Sequence, residues 1–329
     1  MKSSTPLTRR RACIAVALAS LAPAALARAW PDRTITLIVP GPAGGTPDIF
    51  ARQLAQQLKA QLGQTVIVDN KSGAAGNIGA SAAARAAPDG NTLLLGFAQT
   101  MAINPVAFKK LPYDPVADFV PIARLVSFEL GLVVPASLPA QTVPELVAWL
   151  KAHAGKAAYG SFGQGTPSQF AAAMFNRKAG LDQVVHVPYK GSAPLVSELL
   201  GGQVQYGFVV PQVALPHVKA GKLRLLALTG EQRSAALPQV PTMKELGFDE
   251  VVAGGWYGLF APKGTPPAIV ERLTQAVGKS LKAPELARLL AEQDMRAAFL
   301  PGPQFAAFQL DEIARWRATA ARTHFTAED

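Results

Sequence analysis

Short apolar runs rich in β-branched residues alternate with longer amphipathic segments along most of this chain. TITLIVP at 34–40, QTVIVDN at 64–70 and NTLLLGF at 91–97 are such runs. Their length and their Gly or Pro boundaries predict strands, whereas the segments between them predict helices. Strands and helices that alternate at this spacing predict a parallel sheet with crossover helices.

The same alternation begins again near residue 130, with LGLVVPA as a strand and TVPELVAWLKAH as the helix that follows. A final segment, from WYGLFAP at 256–262 onward, adds one strand and three helices. We therefore predict an α/β protein of two blocks, each a mainly parallel sheet flanked by helices. The predicted boundaries are 30–128 for the first block, 129–250 for the second, and 251–329 for a C-terminal segment that returns to the first.

Residues 1–29 carry the pattern of an export signal. A basic cluster at Arg9–Arg11 precedes an apolar stretch, and the small-x-small pattern that ends at Ala29 predicts cleavage before Trp30. The apolar stretch is short for a membrane span. The paired arginines leave the twin-arginine and the general secretion routes both open. We expect an exported protein.

Removing this segment changes the charge balance. It holds five basic residues and no acidic ones, which lowers the formal net charge from +10 to +5. No cluster of Lys and Arg with interleaved aromatic residues remains, which disfavours nucleic-acid binding. The only cysteine, Cys13, lies in the signal, and the histidines His153, His186, His217 and His324 lack metal-ligand spacing. We therefore predict no thiol chemistry, no metal and no cofactor.

The tripeptide Gly-Thr-Pro occurs at Gly45, Gly165 and Gly264. The first two copies lie in Gly-rich stretches, GPAGGTPD and GSFGQGTPSQ, which follow a strand and open a helix. Thr is a good helix N-cap, Pro suits the first helical position, and Thr166 with Gln169 matches the capping-box spacing. Backbone N–H groups at such a helix end can hold a carboxylate without Lys or Arg. Alternatively each copy only starts a helix, and we keep that interpretation for the third.

Residues with catalytic chemistry form no recognisable set. The chain lacks the G-x-S-x-G and H-E-x-x-H motifs, and we find no nucleophile paired with a base. Asp48 is either a group that orients a ligand or an acid matched to the helix dipole. His186 alternates with valines, as a structural strand histidine does. Tyr189 and Lys190 either donate to a ligand or are solvated.

Several longer stretches of the sequence follow one another in a specific order. They are WPDRTITLIVPGPAGGTPDIFARQLAQQL, GQTVIVDNKSGAAGNIGA, AAPDGNTLLLG, NPVAFKKLPYDPVADFVPIARL, YGSFGQGTPSQF, VPYKGSAPLVSELLGGQVQ, LPHVKAGKLRLLALTGEQRSAALPQVPTMKELG and WYGLFAPKGTP. Together they resemble the substrate-binding receptors of the tripartite tricarboxylate transporter family, also called Bug receptors. The resemblance covers essentially the whole chain after residue 29.

The resemblance implies a periplasmic, two-lobed Venus flytrap of the type II-like fold, which closes over a small organic acid. It implies delivery of that acid to the membrane permease subunits of a tripartite carrier, and it implies a receptor rather than an enzyme. The first block and the returning segment then form lobe 1, and the second block forms lobe 2. We expect the receptor to be a monomer.

The resemblance also implies which residues hold the ligand, through backbone amides and ordered waters in corresponding turns of the two lobes. In lobe 1 these are Gly44, Gly45, Thr46, Asp48, Gln99 and Thr100. In lobe 2 they are Ser161, Gly163, Gly165, Thr166, Ser168, Gln169, Gly191 and Ser192.

Two positions depart from the family's pattern. Gln169 stands where His is common, and Val209 stands where an Asp is frequent. Without that acid, a ligand ammonium group would lack a buried partner. We therefore expect a carboxylate or dicarboxylate rather than an amino acid. Two other functions stay open at this stage: an orphan ligand sensor for a membrane signalling system, and a secreted α/β hydrolase or transferase.

Overall fold

A computed structural model describes residues 30–234, 236–251 and 253–323. The predicted export signal at 1–29 lies outside the described residues. In chain order the strands are β1 (Ile35–Val39), β2 (Val66–Asn70), β3 (Thr92–Phe97), β4 (Phe119–Glu129), β5 (Gly131–Pro135), β6 (Ala158–Ser161), β7 (Val185–Pro188), β8 (Tyr206–Val209), β9 (Leu223–Leu228), β10 (Gly254–Pro262) and β11 (Met295–Pro301). The helices are α1 (Thr46–Leu62), α2 (Asn77–Ala84), α3 (Asn104–Ala107), α4 (Val143–Ala152), α5 (Pro167–Ala179), α6 (Ser192–Leu200), α7 (Pro211–Lys219), α8 (Pro267–Ser280), α9 (Pro284–Glu292) and α10 (Gly302–Thr323).

The strands form two sheets, one in each lobe. The six-stranded sheet has the order β11-β4-β10-β3-β1-β2, and the five-stranded sheet has the order β7-β6-β8-β5-β9. In the first sheet β1 runs parallel to β2 and β3, and in the second β6 runs parallel to β7 and β8. The predicted β-α-β units therefore form the parallel part of each sheet. The exact boundaries of the lobes stay a prediction.

Each sheet is mixed, because it also contains strands that run against its parallel ones, and the sequence did not predict the direction of these strands. Strand β10 runs antiparallel to β3 and β4, and β5 runs antiparallel to β8 and β9. Both strands come after the chain has crossed from the other sheet, at the edge where the parallel strands end. A strand that enters a sheet from that edge must run against them, and hydrophobic patterning does not report this direction.

The two crossing segments are hydrogen-bonded to each other. The Leu130 N–H donates to the Thr229 hydroxyl oxygen (2.9 Å), and the Thr229 N–H donates to the Leu130 carbonyl oxygen (2.9 Å). The Thr229 hydroxyl in turn donates to the carbonyl oxygen of Ala253. These buried bonds satisfy polar groups where the chain leaves one sheet for the other.

A continuous apolar core covers the sheets and extends between the lobes. Helix α10 packs on the first sheet through residues such as Phe305, whose ring centroid lies 5.0 Å from that of Phe260; Phe305 and Trp316 are both fully buried. The ring of Trp316 also contacts Phe170 of α5, with ring centroids 5.1 Å apart. The C-terminal helix therefore contacts both lobes. No helix in the described ranges is long and apolar enough to span a membrane.

Strands β4 and β11 were not predicted. Strand β11 lies at the edge of the first sheet and, among the described residues, pairs only with β4, with a bulge between Ala297 and Leu300. Most of its side chains are partly or fully exposed, so it lacks the apolar alternation that marks a half-buried strand.

Candidate functional site

The two Gly-rich turns occupy equivalent places in the two sheets. The first follows β1, which lies between β2 and β3, and the second follows β6, which lies between β7 and β8. Each turn joins the carboxyl end of a central parallel strand to a helix N-terminus, where α/β proteins commonly bind ligands. The third Gly-Thr-Pro copy follows the antiparallel β10 and lies at the opposite edge of the first sheet. It starts α8 and is not part of this site.

In the first turn the helix begins one residue earlier than the Thr-cap prediction. Gly45 is the N-cap of α1, and Thr46 is the first helical residue, without a capping hydrogen bond from its side chain. Asp48, at the third helical position, accepts a hydrogen bond from the Gly44 N–H (2.8 Å), where the backbone has a φ of 77°. That left-handed conformation favours glycine.

The carboxylate of Asp48 is buried and ionised. Burial alone would raise its pKa, but hydrogen bonds from Arg52 and the Gly44 N–H outweigh that effect and lower the pKa below its ordinary value. The Arg52 Nε donates to Asp48 Oδ2 at 3.0 Å, and Arg52 Nη2 lies 3.0 Å from Oδ1. The first turn therefore contains its own anion, balanced by an arginine.

In the second turn Thr166 is the N-cap of α5, as predicted, but the predicted capping box does not form. The Thr166 hydroxyl donates to the Gly163 carbonyl oxygen (2.6 Å), and the Gln169 side chain accepts from the Gly165 N–H (2.8 Å). The positive φ of the glycines on either side of Gln164 turns the backbone so that Gln169 meets the N–H before the cap. Asp48 and Gln169 thus have the same role, each at the third position of its helix.

Several backbone N–H groups at these two helix N-termini donate no hydrogen bond to the described residues of the protein; we call them open. Within the described part of the chain, the N–H groups of Thr46, Thr166, Ser168 and Gln169 have no protein acceptor. The first N–H groups of a helix have no partner in their own helix and carry its positive dipole end. Both turns therefore offer hydrogen bonds to an anion or another acceptor.

The structure reveals a Ser–His pair that the sequence did not predict. Ser161 Oγ lies 2.7 Å from His186 Nε2, and Gln169 Nε2 lies 3.0 Å from His186 Nδ1. Strands β6 and β7 pair with Tyr159 opposite His186, and the two rings stack with centroids 4.9 Å apart. Ser161 lies two residues after Tyr159 in β6, so its side chain is on the same face of the sheet as that of His186. Knowledge of this strand register would have predicted the pair.

The direction of these hydrogen bonds excludes a catalytic role for the pair. Since the Gln169 oxygen accepts from the Gly165 N–H, its amino group faces His186 and donates to Nδ1. The His186 proton is therefore on Nε2, which donates to Ser161. A serine nucleophile needs the reverse arrangement, with Nε2 free to take the serine proton and an acceptor at Nδ1–H.

The histidine is neutral for a physical reason. Burial lowers the pKa of His186 from 6.5 to about 4, because the partly buried ring is costly to charge. Ser161 is fully buried, and its hydroxyl donates onward to the Gly163 carbonyl oxygen at 2.9 Å. The chain of bonds from Gly165 to Gly163 therefore consists of neutral groups that support the turn.

The remaining predicted residues lie around these turns. Gln99 Nε2 donates to the carbonyl oxygen of Gln164 at 3.4 Å, a hydrogen bond between the two lobes. Thr100 is fully buried, and its hydroxyl bonds within its own turn to Phe97. Ser168 is also fully buried and donates to the Phe208 carbonyl oxygen (2.5 Å). These two hydroxyls support the turns from inside their lobes.

Gly191 and Ser192 open α6 next to the second turn. Gly191 is the N-cap, with a φ of 112°, and its N–H donates to the Phe162 carbonyl oxygen (3.1 Å). Both residues are partly exposed. The assignment of all these residues as ligand contacts stays a prediction.

The lobes approach each other closely at this place. A Cβ atom added to Gly165 would lie 3.9 Å from both Ala107 Cβ and Phe108 Cε2 of the first lobe. Of two surface cavities, one of about 480 Å³ lies against α10 and is lined in part by Phe108, and the other, of about 600 Å³, lies between α8 and β11. Among the described residues, no group of three or more His, Cys, Asp or Glu is placed to hold a metal ion.

Two α/β lobes, with equivalent helix-opening turns on either side of a shared contact, define a two-lobed ligand-binding protein. The sequence profile of the tripartite tricarboxylate transporter family receptor, TctC, matches residues 50–323. The chain is 36% identical to protein BugT of Bordetella pertussis over 311 residues, which cover 94% of this chain and 95% of BugT. The chain therefore belongs to the TctC or Bug receptor family, whose members are periplasmic solute-binding proteins and not enzymes.

Solved structures agree with this assignment. An R. palustris protein with adipate is 32% identical, with a TM-score of 0.85 over 90% of this chain and 99% of that protein. MatC from Rhodopseudomonas palustris with bound malate is 31% identical, with a TM-score of 0.79 over 88% of this chain and 99% of MatC. The predicted two-lobed periplasmic-binding-protein fold is confirmed, and so is the prediction that this protein is not an enzyme.

Proposed function

We propose that this protein captures a small organic acid, a carboxylate or dicarboxylate, between its lobes in the periplasm and delivers it to the membrane permease subunits of a tripartite carrier. The observation that carries the ligand class is the set of open N–H groups where α1 and α5 begin. Charge-assisted hydrogen bonds from such donors each contribute about 1.5–3 kcal/mol. The adipate and malate bound by the two similar structures support a dicarboxylate.

The two turns differ in charge, which favours one orientation of the ligand. The first already holds the Asp48 carboxylate on the Gly44 N–H, whereas the neutral Gln169 amide has that role in the second. A second anion is repelled less where no carboxylate is present. We therefore expect one ligand carboxylate at the N-terminus of α5.

Ligand binding stabilises the closed arrangement of the lobes in this proposal. Both turns can touch one small acid only when the lobes meet, so the acid binds the closed state more tightly than the open state. The hydrogen bond from Gln99 to Gln164 and the proximity of Gly165 to Phe108 support a closed state with the turns side by side.

A thermal-shift screen tests the ligand class. The mature chain, from Trp30, is heated with mono-, di- and tricarboxylates, amino acids and neutral sugars. A true ligand at 100 times its Kd adds about 2.7 kcal/mol to the unfolding free energy, so a dicarboxylate should raise the Tm clearly. Stabilisation by a sugar or an amino acid, with none by any plain carboxylate, would contradict the proposal.

Delivery needs a separate experiment. Proteoliposomes with the permease subunits should take up the labelled acid found in the screen only when the receptor is added outside. Uptake that is equal with and without receptor would refute the transport role while leaving the ligand class intact. Light scattering of the mature chain tests the expected monomer.

A further inference from the structure

The third residue of each site helix is supported by a different partner. Asp48 is held by the Arg52 guanidinium, and Gln169 is held by His186. A carboxylate presents an oxygen in either orientation of its end group, but an amide presents an oxygen in only one. Gln169 can accept from the Gly165 N–H only if its orientation is fixed.

The contact that fixes this orientation is the bond to His186. The bare Nδ1 of the neutral ring accepts the Gln169 amino group at 3.0 Å, while Nε2–H donates to Ser161 at 2.7 Å. Ser161 donates in turn to Gly163 at 2.9 Å. The Gln169 amino group, His186 Nε2–H and the Ser161 hydroxyl each have an acceptor in this chain. A reversed amide would instead place its amino group against the Gly165 N–H and its oxygen against the bare Nδ1 lone pair.

The backbone of the second turn, at Gly163 and Gly165, is not held in place by its own conformational preferences. Gly163 and Gly165 have φ values of 155° and 70°, in a region that glycine enters easily and leaves easily. Side-chain bonds to the Gly165 N–H and the Gly163 carbonyl oxygen therefore set the direction of the Thr166 N–H and of the other open donors of α5.

We propose that His186 is a positioning residue of the ligand site: its Nδ1 lone pair fixes the Gln169 amide, and the amide fixes the Gly165 turn that presents the α5 donors. The effect on the ligand rests on the proposed carboxylate-binding function, whereas the effect on the turn does not. His186 touches no ligand in this proposal and acts through Gln169.

Two substitutions separate this role from simple packing. His186→Phe keeps an aromatic ring on Tyr159 but removes the acceptor, and His186→Asn loses the ring but places its side-chain oxygen near the position of Nδ1. Calorimetry with adipate and malate as probes should show affinity reduced about tenfold or more in His186→Phe, since a charge-assisted donor is misdirected. His186→Asn should stay within about threefold of the wild type. A larger loss of affinity in His186→Asn than in His186→Phe would show that His186 acts through packing of its ring, and would overturn the proposal.

Measurements without ligand test the turn itself. ¹⁵N NMR of the histidine-labelled mature chain at pH 7 should show His186 protonated at Nε2 and bare at Nδ1, and a ring protonated at Nδ1 would overturn the proposal. Amide exchange at Gly165 should be protected in the wild type and in His186→Asn, and about tenfold faster or more in His186→Phe. Equal protection in all three proteins would also overturn it.

The measurements with and without ligand test the carboxylate-binding function and the role of His186 separately. If the wild type binds no carboxylate, the proposed function fails, and the tautomer and the Gly165 exchange still decide the role of His186. His153→Phe is the matched control, because His153 is an exposed histidine stacked on another ring, that of Trp149 (4.0 Å). It should leave both the probe affinities and the Gly165 exchange at their wild-type values.

Discussion

Burial of His186 makes the stability of this protein depend on pH in a defined window. Its pKa falls from 6.5 to about 4 in the folded protein because the ring is partly buried. Between these values the unfolded chain holds a proton that the folded protein does not. The stabilising contribution is therefore complete above pH 6.5 and is lost as the pH falls towards 4.

The size of the effect follows from the two pKa values. The full difference corresponds to about 3 kcal/mol, at 1.36 kcal/mol per pH unit. Because the ring is partly exposed, solvent screening reduces this, and we expect a loss of about 2 kcal/mol between pH 7 and pH 4. Other groups titrate in the same range, so the measurement must be a difference between two proteins.

Urea unfolding followed by tryptophan fluorescence, at pH 7, 6, 5 and 4.5, isolates the histidine. At pH 7 His186→Phe should be less stable than the wild type by about 1–3 kcal/mol, because it leaves the Gln169 amino group and the Ser161 hydroxyl without their partner. That difference should shrink as the pH falls, and His153→Phe should follow the wild-type profile. A difference that stays constant from pH 7 to pH 4.5 would refute the reasoning.

Two further predictions concern lobe 1, both measured as free energies of unfolding in urea. Asp48→Asn should cost about 1–2 kcal/mol, because it leaves the Arg52 guanidinium without its buried partner; an unchanged midpoint would show that the pair adds nothing. Gly76→Ala should cost about 2 kcal/mol or more, since φ is 86° and the new Cβ would lie 2.6 Å from Thr100 Cγ2. Gly63→Ala is its control, with a similar φ of 75° and no atom within 4 Å of the new Cβ. It should cost about 1 kcal/mol, and equal losses would show that crowding at Gly76 is unimportant.

The candidate site was only partly predictable. The Gly-rich turns, their helices and their correspondence could be predicted because strand propensity, glycine and Thr-Pro are local signals. The acceptors of the turn N–H groups could not, since a shift of one residue in the cap decides whether Gln169 meets the N–H of Thr166 or that of Gly165. Capping statistics do not resolve a shift that depends on the φ of the neighbouring glycines.

The sequence by itself determined the family, most of the strands and helices, and the two turns that open α1 and α5. Those features depend on residues close in the chain, or on long motifs matched as a whole. Only the tertiary structure decided that β10 lies between β3 and β4, and that His186 joins Ser161 to Gln169. Both depend on which strands pair and in which register, and pairing energy comes from contacts between residues far apart in sequence, to which a local pattern is insensitive.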